Sequence, residues 1–425
     1  MHETRMNRAA KATKPVYPIP EPDLTPRELI ARAVALRPKL RAEQAEADHV
    51  GHYSESMHQE FLKAGFYRTL QPRLYGGYEF DVPTFYKAML EISRGHPGSG
   101  WCLTLCASHP FVIAAHWSEE AQREMFGPDG FFAAPHRPPP IGTATPVKGG
   151  YIIEGVWDYC SGIPFSSHFI GGARLVNDEN PPRGVNVVVP KGSYTIVDDW
   201  GGDRTLGMRA SGSNSVKVDK VFVPEHYVVP ADGMWAKAEG MIDGTPGTKL
   251  HGNPMYLGRT MGPYHMSLVT PTLGAARAAI DEFEDIIKTR PTMFPPVIPR
   301  YQHVDFQRAW GQATALADAS EGILMSAGHK YMDYCRRWAE ENTPFTLEEN
   351  IGLWTMLQHA GRLAGEAMDI IHAASSSAAT KRGQKIERYY RDVAMYRSHI
   401  SAQYLNFAAP LARAHFGLEI GMFGL

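Results

Sequence analysis

The chain has 425 residues, which is longer than one hydrophobic core usually grows, so two or three domains are expected. Hydrophobic residues make up 44% and charged residues 21%, as in ordinary globular proteins, and the formal net charge is -2. Because no long basic run occurs, nucleic acid or an anionic membrane surface is excluded as the main partner. We find no apolar run of transmembrane length, no signal peptide and no CxxC pair, which predicts a reducing cytoplasm.

The first third of the chain is predicted to be helical after a short arm. Residues 1–23 are rich in proline towards their end and form the predicted extended arm. Thr25 then has the position of an N-cap, with Glu28 closing a capping box. Ser118 opens a further helix by the same pattern. We therefore predict a helical domain over residues 24–127.

The middle of the chain, residues 128–245, has the pattern of short strands. The run Gly149 to Gly162 (GGYIIEGVWDYCSG) alternates in polarity after a Gly-Gly turn and ends at Ser161. Residues 206–224 repeat this character, with a small-residue loop before the alternating strand Val216–Val223. Such runs predict a small antiparallel barrel or sandwich whose Ser-Gly loops present hydroxyls and amides to a cofactor.

Helices are predicted again over residues 246–425. Thr346 and Glu349 form a second capping box, ahead of a long helix. The last element is predicted to be one helix from about Glu387 to Ala414. The order is therefore helices, a β domain and a helical bundle.

Several common catalytic motifs are missing. The chain has no Rossmann glycine fingerprint, no P-loop, no H-E-x-x-H and no G-x-S-x-G. Cys102, Cys106 and His109 are close in sequence, but three soft ligands without a fourth favour a buried helix, so no metal is predicted. His109 and His399 stand out by their positions, at the end of an apolar segment and in the last predicted helix, with an ordinary core or surface role as the alternative.

Five motifs in a fixed order resemble a known family. They are LQPRLYGGY (70–78), GSGW (98–101) with His109 eight residues on, GGYIIEGVWDYCSG (149–162), GMRASGSNSVKVDKVFVPEH (207–226) and ERYYRDVAMYRSH (387–399). The chain thus resembles the flavin-dependent monooxygenases of the acyl-CoA dehydrogenase fold superfamily, the oxygenase components of two-component aromatic hydroxylases.

This resemblance implies a fold, a cofactor and partners. The implied fold is α+β and multidomain: an N-terminal α-helical domain, a middle β-barrel domain and a C-terminal four-helix bundle, assembled as a homotetramer. The implied activity is hydroxylation of a small phenolic or indolic substrate with O₂ and reduced flavin, through a C4a-hydroperoxide. The residues leave open whether the flavin is FMN or FAD. A separate NAD(P)H-dependent flavin reductase would supply it, in agreement with the missing nicotinamide fingerprint.

The resemblance also assigns roles to residues. Ser161 matches the serine whose hydroxyl meets flavin N5. His399 and His109 match histidines near the substrate ring, and a neutral imidazole is a base that can remove a phenolic proton. The remaining matches line the flavin pocket, with turn hydroxyls or core aromatics as the alternative reading: Trp101, Trp157, Arg209, Ser211 and Ser213.

Other functions on the same fold stay open. Many acyl-CoA dehydrogenases carry a catalytic glutamate after an arginine-aspartate pair, but counting from Arg391-Asp392 places His399-Ile400-Ser401 there. The alternatives are heteroatom (N- or S-) oxygenation, acyl-CoA dehydrogenation and a non-catalytic flavin-binding oligomer. Residues 136–142 and 163–166 depart from the relatives' pattern, so the substrate is not inferred from any relative.

Overall fold

The computed structural model describes residues 15–127, 129–176, 183–231, 243–403 and 405–420, so the first 14 residues of the predicted arm lie outside the described residues. The N-terminal part is helical, as predicted. Its helices are α1 (Pro26–Val50), α2 (Glu55–Ala64), α3 (Val82–Gly95), α4 (Pro97–Ala107), α5 (Pro110–His116) and α6 (Glu119–Phe126). The Thr25–Glu28 capping box is confirmed, and Ser118 caps α6 by accepting from the amide of Ala121.

The described residues of the middle part form a seven-stranded sheet. Its strands are β1 (His136–Val147), β2 (Gly150–Trp157), β3 (His168–Leu175), β4 (Gly184–Pro190), β5 (Thr195–Ile196), β6 (Val216–Pro224) and β7 (Val228–Pro230). The order across the sheet is β5-β6-β2-β1-β3-β4-β7. The predicted strands are confirmed, but the prediction of a purely antiparallel arrangement is wrong. The chain leaves β2 through residues 158–167 and returns on the far side of β1, so β3 runs parallel to β1.

The C-terminal part is helical again. Its helices are α7 (Pro246–His251), α8 (Met261–Thr289), α9 (Val304–Glu341), α10 (Leu347–Ala374), α11 (Lys385–Ser398) and α12 (Leu405–His415). The Thr346–Glu349 capping box is confirmed at the start of α10. The prediction of one helix from Glu387 to Ala414 is wrong, because the helix stops before His399. There the backbone is extended (φ -68°, ψ 138°) and the imidazole accepts the Ser401 amide, a local bond that competes with helix continuation.

Helix α8 joins the N-terminal and C-terminal parts. It packs against α3 and α4 on one side and against α9, α10 and α11 on the other. Leu273, Ala276 and Phe283 of α8 are fully buried, so the largest share of its stabilisation is apolar burial. Within the described ranges, no helix has both the length and the apolar character needed to cross a membrane.

Candidate active site

Ser161 is the centre of a chain of hydrogen bonds. The indole Nε1–H of Trp101, on α4, donates to Ser161 Oγ over 3.1 Å. Ser161 Oγ lies 2.8 Å from Ser213 Oγ, which lies 2.5 Å from Ser211 Oγ. All four side chains are buried. The two Ser-Gly loops that sequence analysis singles out therefore meet at their hydroxyls.

Backbone hydrogen bonds also connect the two loops. The amide of Gly162 donates to the carbonyls of Ser211 and Gly212, each over 3.0 Å. Gly162 and Gly212 have φ values of +87° and +57°, which glycine adopts without strain. A Cβ on Gly212 would lie 3.2 Å from Cys102 Sγ, so both loops are pressed against α4.

His399 lies next to this chain of hydroxyls. Its ring centroid is 6.3 Å from that of Trp101, the residue that binds Ser161. Its Nδ1 accepts a hydrogen bond from the Ser401 amide over 3.1 Å. Because a neutral imidazole carries one proton, that proton must be on Nε2, which makes Nε2–H a donor.

The environment of His399 disfavours a second proton. Burial, together with the positive charge of Arg137, lowers the pKa of His399 to about 4. Arg137 itself is held by Asp158, whose Oδ1 accepts from Nε over 3.0 Å and from Nη2 over 2.9 Å. Near pH 7 the imidazole of His399 is therefore neutral, with a fixed tautomer.

His109 has the opposite tautomer. It is buried at the start of α5, and its Nδ1–H donates to the carbonyl of Ala134 over 2.7 Å. The lone pair is therefore on Nε2, which can accept a proton or a hydrogen bond. Burial lowers the pKa of His109 to about 4, so this imidazole is also neutral.

A second group of buried polar residues surrounds His109, and it was not predicted from the sequence. The ring of His109 lies 5.8 Å from that of His136 and 5.2 Å from that of Tyr264. His136 Nε2–H donates to Asn186 Oδ1 over 3.0 Å, and its Nδ1 accepts from the Tyr264 hydroxyl. Burial and, next, the neighbouring His109 lower the pKa of His136 to about 3. Residues 136–142 depart from the relatives' sequence pattern, and this departure, which begins at His136, is the sequence signal that could have indicated the group.

Two predicted pocket residues, Trp157 and Arg209, have other partners. Trp157 is fully buried within the sheet and donates from Nε1 to the Gly172 carbonyl over 2.8 Å. Arg209 begins the turn that holds Ser211, but its guanidinium binds Asp203 and the Thr205 carbonyl. The structure thus connects Trp101, Ser161, Ser211, Ser213 and His399 through contacts, and places Trp157 in the core.

Cys102 and Cys106 are buried thiols beneath the serine loops. Burial raises the pKa of Cys106 to about 12 and that of Cys102 well above its usual value. The Nδ1 of His109 is occupied by Ala134. The two thiols are therefore protonated near pH 7 and packed in the core.

The buried neutral histidines make acid stability a test of this geometry. The folded-state pKa values of His109 and His136 are lowered to about 4 and about 3, below the unfolded value of about 6.5. Below pH 6.5 the unfolded chain therefore binds protons that the folded chain does not, and the free energy of unfolding falls as the pH falls towards 4. Each histidine contributes up to about 1.4 kcal/mol per pH unit. In urea titrations between pH 6 and 4.5, we expect His109→Asn to reduce the slope of the unfolding free energy against pH. The reduction should be up to about 1.4 kcal/mol per pH unit, which corresponds to one proton. Equal slopes in wild type and His109→Asn would contradict the assignment.

Comparison with known proteins first shows which fold this chain has. Residues 266–404 match the family model described as acyl-CoA dehydrogenase, C-terminal domain. Among solved structures, the fold is similar to the 3-HSA hydroxylase from Rhodococcus sp. RHA1 (TM-score 0.82, 24% identity, covering 92% of this chain and 97% of that one). It is also similar to XiaF from Streptomyces sp. in complex with FADH₂ (TM-score 0.83, 22% identity, covering 93% and 97%). The fold is therefore acyl-CoA dehydrogenase-like, with one sheet and a helical C-terminal region.

Curated relatives show which proteins of this fold the chain resembles in sequence. The chain is 27% identical to the flavin-dependent monooxygenase oxygenase subunit HsaA of Rhodococcus jostii, covering 92% of this chain and 98% of that protein. It is 23% identical to the oxygenase component of p-hydroxyphenylacetate 3-hydroxylase of Acinetobacter baumannii, covering 94% and 91%. The predicted resemblance to oxygenase components of flavin-dependent aromatic hydroxylases is confirmed.

Proposed function

We propose that this chain is the oxygenase component of a two-component monooxygenase that hydroxylates a small phenolic or indolic substrate. Reduced FMN or FAD would come from a separate NAD(P)H-dependent flavin reductase. The observation that carries the proposal is the contact of Trp101 with both Ser161 and His399, which joins the β part and the C-terminal helices at one place. Near-full-length similarity to oxygenase components supports it.

The serine chain fits a reduced flavin because it has a donor to spare. The hydroxyls of Ser161, Ser213 and Ser211 carry three protons, and the two contacts between them use two. Trp101 Nε1–H cannot accept, so it occupies a lone pair of Ser161. One hydroxyl proton is left for an acceptor outside the three serines, such as a flavin ring nitrogen. The bound flavin, with O₂, would supply the oxygen atom that is transferred.

The two histidines fit complementary roles on a phenol. We assign the proton acceptor to His109, whose Nε2 lone pair is free of the Ala134 bond. The family resemblance implies that His399 acts as a base, but its Nδ1 is occupied by the Ser401 amide. We therefore assign to His399 Nε2–H a hydrogen bond to an oxygen of the reacting groups. An acceptor with a pKa near 4 moves a phenolic proton only partly, in step with attack by the ring.

The finer organisation is part of the same proposal. We assign a helical domain to residues 24–127, a β-barrel domain to 128–245 and a four-helix bundle, α8 to α11, to 246–425. The packing of α8 against α9, α10 and α11 supports the bundle. The exposed apolar loop that contains Met293 and Phe294 supports a homotetramer. The four buried free cysteines support a cytoplasmic location.

A product assay tests the proposed function. The purified protein would be mixed with reduced FMN or FAD, air and a panel of phenols, indoles and thioethers, and the products identified by mass. We expect one phenol or indole to gain a single oxygen atom, which carries the label when ¹⁸O₂ is used. Incorporation into a thioether alone would favour heteroatom oxygenation. Oxidation of an acyl-CoA with an electron acceptor would overturn the proposal.

A further inference from the structure

Helix α11 is fastened directly to the loop before the serine chain. Asp392 Oδ1 accepts a hydrogen bond from the Met208 amide over 2.6 Å, and Arg391 Nη1 donates to the Leu206 carbonyl over 2.8 Å. Between them lies Gly207, where a Cβ would be 2.1 Å from the Arg391 carbonyl oxygen and 2.7 Å from the Asp392 nitrogen. The loop backbone therefore lies against the helix backbone with no room for a side chain.

This fastening connects two parts of the candidate site. Three residues after Met208 the loop reaches Ser211, and then Ser213, whose hydroxyl binds Ser161. In the other direction, α11 continues from Asp392 for about two turns, roughly 10 Å, to His399. The Asp392 carboxylate thus binds the serine loop from the helix that leads to His399, so it can fix the positions of both relative to each other.

Asp392 is buried among charged groups from several elements. Its side chain is 1% exposed, and within the described ranges its Oδ2 accepts no hydrogen bond. Asp48 of α1 accepts from Arg388 Nε over 2.8 Å and lies 3.9 Å from Arg391 Nη2. His96, before α4, lies 3.4 Å from Asp48. Burial and, next, the charge of Asp48 raise the pKa of Asp392 to about 7, against the opposing effects of Met208, Arg391 and Arg388.

We propose that Asp392 is a positioning residue of the hydroxylation site: through the Met208 amide it holds the serine loop, and hence the Ser161 hydroxyl, in register with the helix that carries His399. This inference rests on the proposed function for its effect on turnover. Its structural part concerns the protein without any ligand.

Because the pKa of Asp392 is raised to about 7, the strength of its hydrogen bond to the Met208 amide should depend on pH near neutrality. A carboxylate accepts a stronger hydrogen bond from an amide than a carboxylic acid does. As the pH rises through about 7, Asp392 loses its proton and its hold on Met208 becomes stronger. We therefore expect the share of reduced flavin used for hydroxylation, rather than lost as hydrogen peroxide, to rise between pH 6 and 8.

Hydrogen exchange of the ligand-free protein tests the structural part. In Asp392→Ala, we expect the amides of residues 206–213 to exchange at least about threefold faster, because Met208 loses its acceptor. Asp392→Asn keeps an oxygen acceptor but loses the charge, so exchange at these residues should lie between that of wild type and that of Asp392→Ala. The matched control is Asp369→Ala, which removes the ion pair between α10 and Arg397 of α11 and does not touch the loop. Unchanged exchange of residues 206–213 in Asp392→Ala would overturn the inference.

Turnover gives the second readout. We expect Asp392→Ala to release at least about threefold more hydrogen peroxide per product, and Asp369→Ala to match wild type. If Asp392→Ala does not fold, Asp392→Asn decides: its coupling should no longer change between pH 6 and 8, and a wild-type pH dependence would overturn the inference. A wild-type protein that hydroxylates nothing would contradict the proposed function but leave the exchange result standing.

Discussion

Replacing His109 by asparagine is expected to lower the rate of hydroxylation about 100-fold to 10,000-fold, the usual contribution of a positioned general base. The Asn side-chain N–H can still donate to the Ala134 carbonyl, as Nδ1–H of His109 does. It has no counterpart of the Nε2 lone pair, which is the acceptor that we assign to the phenolic proton. Flavin affinity should change little. Single-turnover product formation with a phenol identified in the panel assay measures the effect.

The matched comparison is His399→Gln. A glutamine N–H can replace the Nε2–H donor of His399, while the bond from the Ser401 amide to Nδ1 is lost. We expect a loss of about tenfold or less, the size of one weakened hydrogen bond. If His399→Gln lost as much as His109→Asn is predicted to lose, and His109→Asn stayed near wild type, the roles of the two histidines would be reversed.

Ser161→Ala is expected to produce the second large effect, on coupling rather than binding. Removing this hydroxyl breaks the chain between Trp101 and Ser213 and removes the group that the family resemblance places against the flavin. A lost hydrogen bond of about 1 to 1.5 kcal/mol corresponds to a rise of about fivefold to twelvefold in the rate of hydrogen peroxide release. Peroxide formed per reduced flavin consumed, measured with and without substrate, gives this rate.

A nearby serine supplies the control. Ser166 is also buried in the same loop, but its hydroxyl donates to the Gly162 carbonyl over 2.8 Å and takes no part in the chain. Ser166→Ala should therefore leave coupling unchanged. Trp101→Phe, which removes only the indole donor to Ser161, should raise peroxide release by a smaller factor. Equal peroxide release from wild type and Ser161→Ala would contradict the assignment.

Sequence predicted the local elements well where one residue decides the outcome. Thr25, Ser118 and Thr346 cap helices because a side-chain oxygen satisfies an amide three residues on, a signal contained in four residues. The alternating strands around Tyr151 and Val218 were equally local. The family's motifs singled out Ser161 and Ser213 separately, and the structure adds that their hydroxyl oxygens lie 2.8 Å apart.

The rest depends on contacts that no short pattern contains. His136 binds Asn186 and Tyr264, which lie 50 and 128 residues away, so only the folded sheet and α8 bring them together. The end of α11 depends on a bond between His399 and the Ser401 amide, which competes with a helix that the flanking residues favour. The parallel pairing of β1 with β3 depends on the path of the chain after Ser161.

The two cysteines under the serine loops bear on the durability of such an enzyme. A Cβ on Gly162 would lie 3.1 Å from Cys106 Sγ, so this sulfur packs directly against the backbone that follows Ser161. Oxidants attack thiolates far faster than thiols, and a pKa of about 12 leaves Cys106 almost entirely protonated at neutral pH. Peroxide that escapes from the site would therefore meet sulfur in its slow-reacting form. The same burial that packs α4 thus protects the enzyme against self-inactivation.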